Sequence, residues 1–391
     1  MYKTLRHVDH FIAKILYSFR WFFLLRSVDR SKMPRIKNIL CIKLWGLGNL
    51  TIIYPLILKL KEKYPEANIV FITFDLNKGL LENNGAISKI LYVNFSKNIL
   101  NLLKQFIFLL RVLRHEKIDV VINFENINNV SAFFSYLIQA PIRIGRTHKY
   151  DGIFYTHPVI PSNSQHISHQ FQSLLEPLGI TSSFGYAHLS GTDNDRIKVE
   201  SLLEGFEVDE FICIHPGTSN NFKGKRCSKR FFSDLTLQFI LQQRIPVFFI
   251  GKNIDENLSE EIIKMLPNKF KVIDLTNQLT IGQLIELLRR SRLLVSNDTG
   301  PAHMAASLGV NVAVLFGPTS PQQYQPLNTN SLVFYKNCPC GSNRGVSYDN
   351  KMCTYNSFCL DFSPLEIHQA ISKKFFIEQK IIKNEHARNL I

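Results

Sequence analysis

A chain of 391 residues is long enough for two domains, each with its own core. Hydrophobic residues at 45% and charged residues at 20% give a globular composition and exclude a disordered chain. A net charge of +15 favours an anionic partner (nucleic acid, an acidic membrane surface or a phosphorylated substrate), and the lack of any Lys/Arg run interleaved with aromatics speaks against nucleic acid.

The first stretch, 1–36, reads as a basic amphipathic segment. Phe11, Ile15, Phe19 and Phe22 recur at helical spacing, and Lys3, Arg6, His10 and Lys14 step along the opposite face. Such a helix suits the interface of an anionic membrane, or it packs on the protein's own core. Its longest wholly apolar run, Trp21 to Leu25, is far too short to span a bilayer, and no signal peptide is evident. The expected location is cytoplasmic, peripheral on the inner membrane. Seven cysteines in a chain of this length do not resemble a secreted disulfide framework.

From Asn38 short apolar runs alternate with helical stretches. "NILCIKL" reads as a buried strand and Asn49 to Tyr64 as a helix with Leu50, Ile53, Leu56, Ile57 and Leu60 on one side. "ANIVFITF" and "KILYV" are strands, Ile99 to Arg114 a strongly apolar helix, "IDVVINF" a strand, and Ser131 to Leu137 a helix. From His157 to Glu207 the pattern weakens, with turn signals in "PSNS" and "SGTDND". It restarts with "EFICIHPG", a helix from Arg230 to Gln243, "IPVFFIG", a helix from Glu256 to Met265, and "KVIDL". A helix from Ile281 to Ser291, "LLVSND", a helix from Ala302 to Leu308 and "NVAVLFGP" complete the second half. The expected architecture is α/β, two Rossmann-like domains over 37–185 and 186–362, with a C-terminal helix and basic tail over 363–391.

Ligands in open α/β sheets bind beyond the carboxyl ends of the strands, and three strand ends carry chemistry. In "LLVSNDTGPAHMAASLG" a strand leads through Asp298, Thr299 and Gly300 into a helix opened by Pro301. Its free N–H groups and dipole suit a pyrophosphate, Gly300 permits close approach, and Asp298 suits sugar hydroxyls or a helix cap. His303 lies near the same helix start. In "CIHPGTSNNFKGKRCSKRFF" Thr218 and Ser219 supply hydroxyls after a strand, with Lys223, Lys225 and Arg226 placed as a phosphate clamp or a solvated basic loop. In "KLWGLGNLTIIYP" Gly46 and Gly48 form a tight turn ending at Asn49, but Thr51 stands where a dinucleotide fingerprint needs glycine.

With these motifs the chain resembles glycosyltransferase family 9, the ADP-heptose:lipopolysaccharide heptosyltransferases. "NDTGPAHMAASLGVNVAVLFGPTSP" is similar to that family's C-domain signature, and "IHPGTSNNFKGKRCSKRFF" to its HPG…KRWP segment, with Cys227 and Ser228 where Trp and Pro are usual. "GLGNLTIIYPLILKLKEKYPEANI" matches its N-terminal pattern, so the likeness runs from about Asn38 to Phe362. The resemblance implies a GT-B fold, two facing Rossmann-like domains with a cleft between them. It implies inverting transfer of a heptose, or a similar sugar, from an ADP-sugar donor to a lipopolysaccharide core acceptor. It places Thr218, Ser219 and Lys225 on the donor phosphates, Asp298 on sugar hydroxyls, Thr299 and Gly300 on the pyrophosphate, and His303 in the pocket lining. Direct displacement of this kind needs no metal or cofactor when lysine and helix N–H groups neutralise the leaving group.

One departure matters. Where the family has an aspartate taken as the base, this chain has Asn49, next to Gly48 on the acceptor side; an amide cannot serve as a base near neutral pH. Glu125, after the "VVINF" strand, is a substitute by position. The alternatives are a different sugar or glycan, or a sugar-nucleotide-binding homologue without turnover. Cys338, Cys340, Cys353 and Cys359 offer four thiolates, but their spacing is not a common zinc pattern, and free or packed thiols are the expectation.

Overall fold

The computed structural model describes residues 35–94, 98–126, 129–147, 151–160, 165–181, 188–252, 257–267, 272–328, 330–337 and 358–377. The basic N-terminal segment and Cys338, Cys340 and Cys353 lie outside them. The chain divides into two compact units, Met1–His188 and Leu189–Ile391.

The first unit is built on six parallel strands, β1 (Asn38–Ile42), β2 (Asn68–Phe74), β3 (Lys89–Val93), β4 (Val120–Asn123), β5 (Ile142–Arg146) and β6 (His157–Val159), in the order β3-β2-β1-β4-β5-β6. Its helices include α1 (Leu47–Lys63), α2 (Ile99–His115), α3 (Asn129–Ile138) and α4 (Ile167–Gln172). The apolar stripe expected on α1 is buried throughout, Leu50, Ile53, Leu56, Ile57 and Leu60 all being inaccessible to solvent. Helices α2 and α3 cover a separate cluster in which Leu102, Leu109, Leu113, Phe134 and Ile138 pack on Leu40, Ile42, Val70, Ile72 and Val121. Strands enclosed in this way read as continuous apolar runs, as β1 and β2 do.

The second unit repeats the plan with β7 (Ile212–His215), β8 (Val247–Phe249), β9 (Val272–Asp274), β10 (Leu293–Asn297), β11 (Asn311–Phe316) and β12 (Ser331–Tyr335), ordered β12-β11-β10-β7-β8-β9 and again all parallel. Its helices are α5 (Asp193–Gly205), α6 (Lys229–Gln238), α7 (Leu258–Ile263), α8 (Ile281–Arg290), α9 (Gly300–Ser307), α10 (Pro321–Tyr324) and α11 (Pro364–Ser372). Counted from its own first strand, each unit has the order 3-2-1-4-5-6 of dinucleotide-binding sheets. The order reverses between β1 and β4 and between β7 and β10, and it is at the carboxyl ends of such pairs that open α/β sheets leave a crevice for ligands.

Three strands and the helices α4, α5 and α10 go beyond the sequence reading. β5, β6 and β12 are short or carry interrupted apolar runs. "SGTDND" is not a turn: Thr192 caps α5, accepting from Asp195 N–H, while the Asp195 carboxylate accepts from Thr192 N–H. Only Val199 and Leu203 of α5 are buried, so its periodicity is faint. The C-terminal segment is also more enclosed than a solvated basic tail. Ile367, Ile371 and Phe375 join the second unit's core beside Phe232 and Phe239, and Lys374 donates to Ser331 O at 3.0 Å. Among the described residues no helix is long and apolar enough to cross a membrane.

Gly145 in β5 is required by close approach. An added Cβ would lie 2.2 Å from the Tyr155 ring, whose hydroxyl accepts from Asn123 Nδ2 at 2.8 Å. Gly145→Ala is expected to cost about 3 kcal/mol by overpacking, read as a lower denaturant midpoint; an unchanged midpoint would show the ring free to move.

Candidate active site

In the second unit three strand ends converge. Asn297, the last residue of β10 and fully buried, ties two loops together: its Nδ2 donates to Pro216 O at 2.7 Å, and its Oδ1 accepts from Cys227 N–H at 3.2 Å. Arg226 closes the same loop from the other side, its Nε donating to Thr218 Oγ1 at 2.9 Å and its Nη2 to Thr218 O at 2.6 Å. The segment Asn220–Lys225 is thus fixed at both ends. Ser228 caps α6 by accepting from Phe231 N–H, and Cys227 is buried in the core.

This framework sets Lys225 against Asp298. Lys225 Nζ donates to Asp298 Oδ2 at 2.6 Å, and Thr319 Oγ1, beyond the end of β11, donates to the same oxygen at 2.7 Å. Burial works against the charged carboxylate, but Lys225, Thr319 and nearby His303 outweigh it and hold Asp298 below its ordinary value of 3.8. Both contacts fall on Oδ2, so Oδ1 is not used by them. Asp298 does not cap α9. The cap position is Thr299, without a side-chain cap bond; Pro301 supplies no N–H and Ala302 N–H donates to Thr299 O at 3.2 Å, which leaves the Thr299 and Gly300 N–H groups for water or a ligand. The Thr299 hydroxyl lies 3.2 Å from His215 Nδ1 and 2.9 Å from Ser296 Oγ.

The structure therefore gathers Thr218, Lys225, Asp298, Thr299, Gly300 and His303 at the carboxyl ends of β7 and β10. Ser219 follows on the exposed side of the loop, while the Thr218 hydroxyl is turned to Arg226. Thr319 went unassigned in the sequence. It sits inside the quoted signature, but only the pairing of β10 with β11 carries it to Asp298.

In the first unit the turn after β1 is braced by an ion pair. Lys43 Nζ donates to Glu125 Oε2 at 2.9 Å, and Glu125 Oε1 accepts from the backbone N–H groups of Leu44 at 2.5 Å and Trp45 at 3.0 Å. Lys43 is 1% exposed and Glu125 7%. Burial depresses the Lys43 ammonium most, Glu125 pulls it back up, Arg146 adds to the depression, and the net direction is down. Gly46, with φ of 92°, opens α1, and the Asn49 side chain folds back over it, its Nδ2 3.2 Å from where a Cβ would lie. Asn49 is half-buried, and its side chain has no hydrogen-bond partner among the described residues. Lys43 escaped the sequence reading, although a lysine ending an apolar strand signals a need for a carboxylate. Its partner is 82 residues away.

No group of three or more His, Cys, Asp or Glu side chains placed to hold a metal is found among the described residues. Cys359 is buried in the second unit's core near Cys227.

Because Asp298 is more acidic folded than unfolded, its pairing stabilises the protein above about pH 4, and that contribution is lost as pH falls through the folded value. Asp298→Asn is expected to cost about 2 kcal/mol at pH 7, with the gap to wild type narrowing toward pH 3 in denaturant titrations. A gap independent of pH would count against the ion pair.

Comparison with known proteins bears on the fold and the family. The family model "Glycosyltransferase family 9 (heptosyltransferase)" matches residues 107–352. Lipopolysaccharide heptosyltransferase 3 of Escherichia coli K12 is 27% identical over 298 residues, covering 74% of this chain and 85% of that protein. The crystal structure of a glycosyltransferase family 9 protein from Veillonella parvula superposes with a TM-score of 0.74 at 21% identity, over 90% of this chain and 98% of that one. E. coli ADP-heptose lipopolysaccharide heptosyltransferase II superposes with a TM-score of 0.71 at 17% identity, over 88% and 100%. The fold is GT-B, and with a family match over well more than half its length the chain belongs to glycosyltransferase family 9 and is a glycosyltransferase.

Proposed function

We propose that the protein transfers a heptose from ADP-heptose to a lipopolysaccharide core acceptor with inversion at the anomeric carbon. The observation that carries this reading is Lys225, held at 2.6 Å from Asp298 beside the uncapped start of α9. A diphosphate at that helix start would draw the ammonium toward its own oxygens. Asp298 Oδ1 would accept from a sugar hydroxyl, Ser219 and the Thr299 and Gly300 backbone would approach the phosphates, and Thr218, with Arg226, would shape the loop. His303 would line the sugar pocket. The names of the relatives, which include lipopolysaccharide and ADP-heptose, support donor and acceptor. The net charge of +15 suits an anionic glycolipid on a membrane surface and a phosphorylated donor.

In the reaction the acceptor hydroxyl oxygen forms a bond to the anomeric carbon while the bond to the β-phosphate oxygen breaks. ADP departs with the electron pair, its charge met by Lys225 and the α9 dipole. Asn49 would orient the acceptor by taking the hydroxyl's hydrogen bond on its amide oxygen. The hydroxyl proton becomes strongly acidic once the new C–O bond forms, so a late loss to water needs no carboxylate. Glu125 stays out of proton transfer in this reading, because its oxygens already accept from Lys43, Leu44 and Trp45.

The test is ADP release from ADP-heptose with and without a heptose-deficient lipopolysaccharide acceptor. Acceptor-dependent ADP is expected, and none with that acceptor would overturn the choice of substrates. Lys225→Ala is expected to lower kcat about 10²–10³-fold while the protein still folds; equal turnover would remove Lys225 from the leaving-group role. Asn49→Asp is expected to leave kcat within about threefold, because the proton is lost after the new bond forms; a rise of about tenfold or more with an acidic limb would show that a general base speeds the step. A flat response would show that proton removal does not limit turnover.

A further inference from the structure

The helix α2 presents the wrong kind of outer face for a helix surrounded by water. Its inner face, Leu102, Phe106, Leu109, Leu110 and Leu113, packs on the β-sheet core and on α3. The opposite face of an ordinary surface helix is polar. Here it carries Leu100, Leu103, Ile107 and Phe108, exposed to 66%, 48%, 52% and 65%. At 100° per residue these four span one arc of the helix, and Lys104 and Arg111 fall inside that arc. The helix Ile99–His115 contains no aspartate or glutamate, while Lys104, Arg111, Arg114 and His115 all lie on its exposed side. Arg114 is turned to Leu137 O at the end of α3. Neither Lys104 nor Arg111 has an acidic partner among the described residues.

We infer that the outer face of α2 is a docking surface for an anionic lipid bilayer, seating Leu103, Ile107 and Phe108 in the headgroup layer with Lys104 and Arg111 on lipid phosphates. The inference rests on the reading of the acceptor as a membrane glycolipid and names the element that carries the enzyme to it. Charge selects this occupant. A second copy of the chain would set Lys104 and Arg111 against their own equivalents. The N-terminal segment, in which Lys3, Arg6, Lys14 and Arg20 outnumber the aspartates, brings no excess of acid to pair with Lys104 and Arg111. An acidic bilayer matches both features of the face, the apolar arc and the unpaired sign of its charges.

Flotation of the full-length protein with vesicles of phosphatidylcholine alone, or with about 30 mol% phosphatidylglycerol, tests this without reference to catalysis. Binding is expected only to the anionic vesicles and to weaken as salt rises. Ile107→Glu with Phe108→Glu is expected to lower partitioning at least tenfold, and Lys104→Gln with Arg111→Gln about fivefold per cation removed. Both pairs are solvent-facing, so circular dichroism and ADP release with a soluble acceptor fragment should match wild type. In a Phe108→Trp variant the emission of the added indole is expected to shift to the blue on adding anionic vesicles. Vesicle binding unchanged in both double variants, or no blue shift in the Phe108→Trp variant, overturns the assignment, as does a wild-type protein that binds no vesicle. Loss of ADP release with vesicle binding intact would instead strike the substrate reading alone.

Discussion

Two lysine–carboxylate pairs, one in each unit, hold the places where the parallel sheets leave a gap. A sheet whose strand order reverses cannot cover the ends of the two diverging central strands, and polar loop backbone is left there with nothing to pair with. In the first unit Glu125, just beyond β4, reaches across to Lys43 at the end of β1 and to two backbone N–H groups. In the second Asp298, just beyond β10, takes Lys225 from the loop after β7. An asparagine ends each fourth strand: Asn123 bonds to Ser131 and Tyr155, and Asn297 to the loops flanking Lys225.

The two pairs differ in what they leave open. Lys43 and Glu125 are both sealed, and every oxygen of Glu125 is met by an internal donor. Such a pair gains little net stability over an apolar filling, since desolvation offsets its attraction, but it fixes the path of the turn that carries Asn49. Lys225 keeps 18% of its side chain accessible, next to a helix start with no side-chain cap. An ammonium held this way can exchange a carboxylate partner for a phosphate at small reorganisation cost, which is the property a leaving-group cation needs. One architectural device thus serves as a brace in one unit and as a candidate reaction centre in the other.

The exposed apolar arc of α2 belongs to the same logic of placement. The helix was legible in the sequence as strongly apolar. Only packing shows that one helix cannot bury all of Leu100, Leu102, Leu103, Phe106, Ile107, Phe108, Leu109 and Leu113 against a single sheet face.

The sequence alone determined the α/β alternation, the run of buried strands and the strand-end motifs, because strand and helix periods and turn residues are local properties. It also supplied the Asn49 substitution, which is a matter of residue identity and needs no fold to be seen. What only the tertiary structure decided are the partnerships: Glu125 with Lys43 across 82 residues, Asp298 with Lys225 across 73, Thr319 beside them. It also decided that β5, β6, β12 and α5 exist, where weak local signals gain order from neighbouring strands and from a capping box. The reason is the same in each case. Periodicity is written in adjacent residues, whereas a buried charge finds its partner through the strand order, which brings distant segments to one crevice.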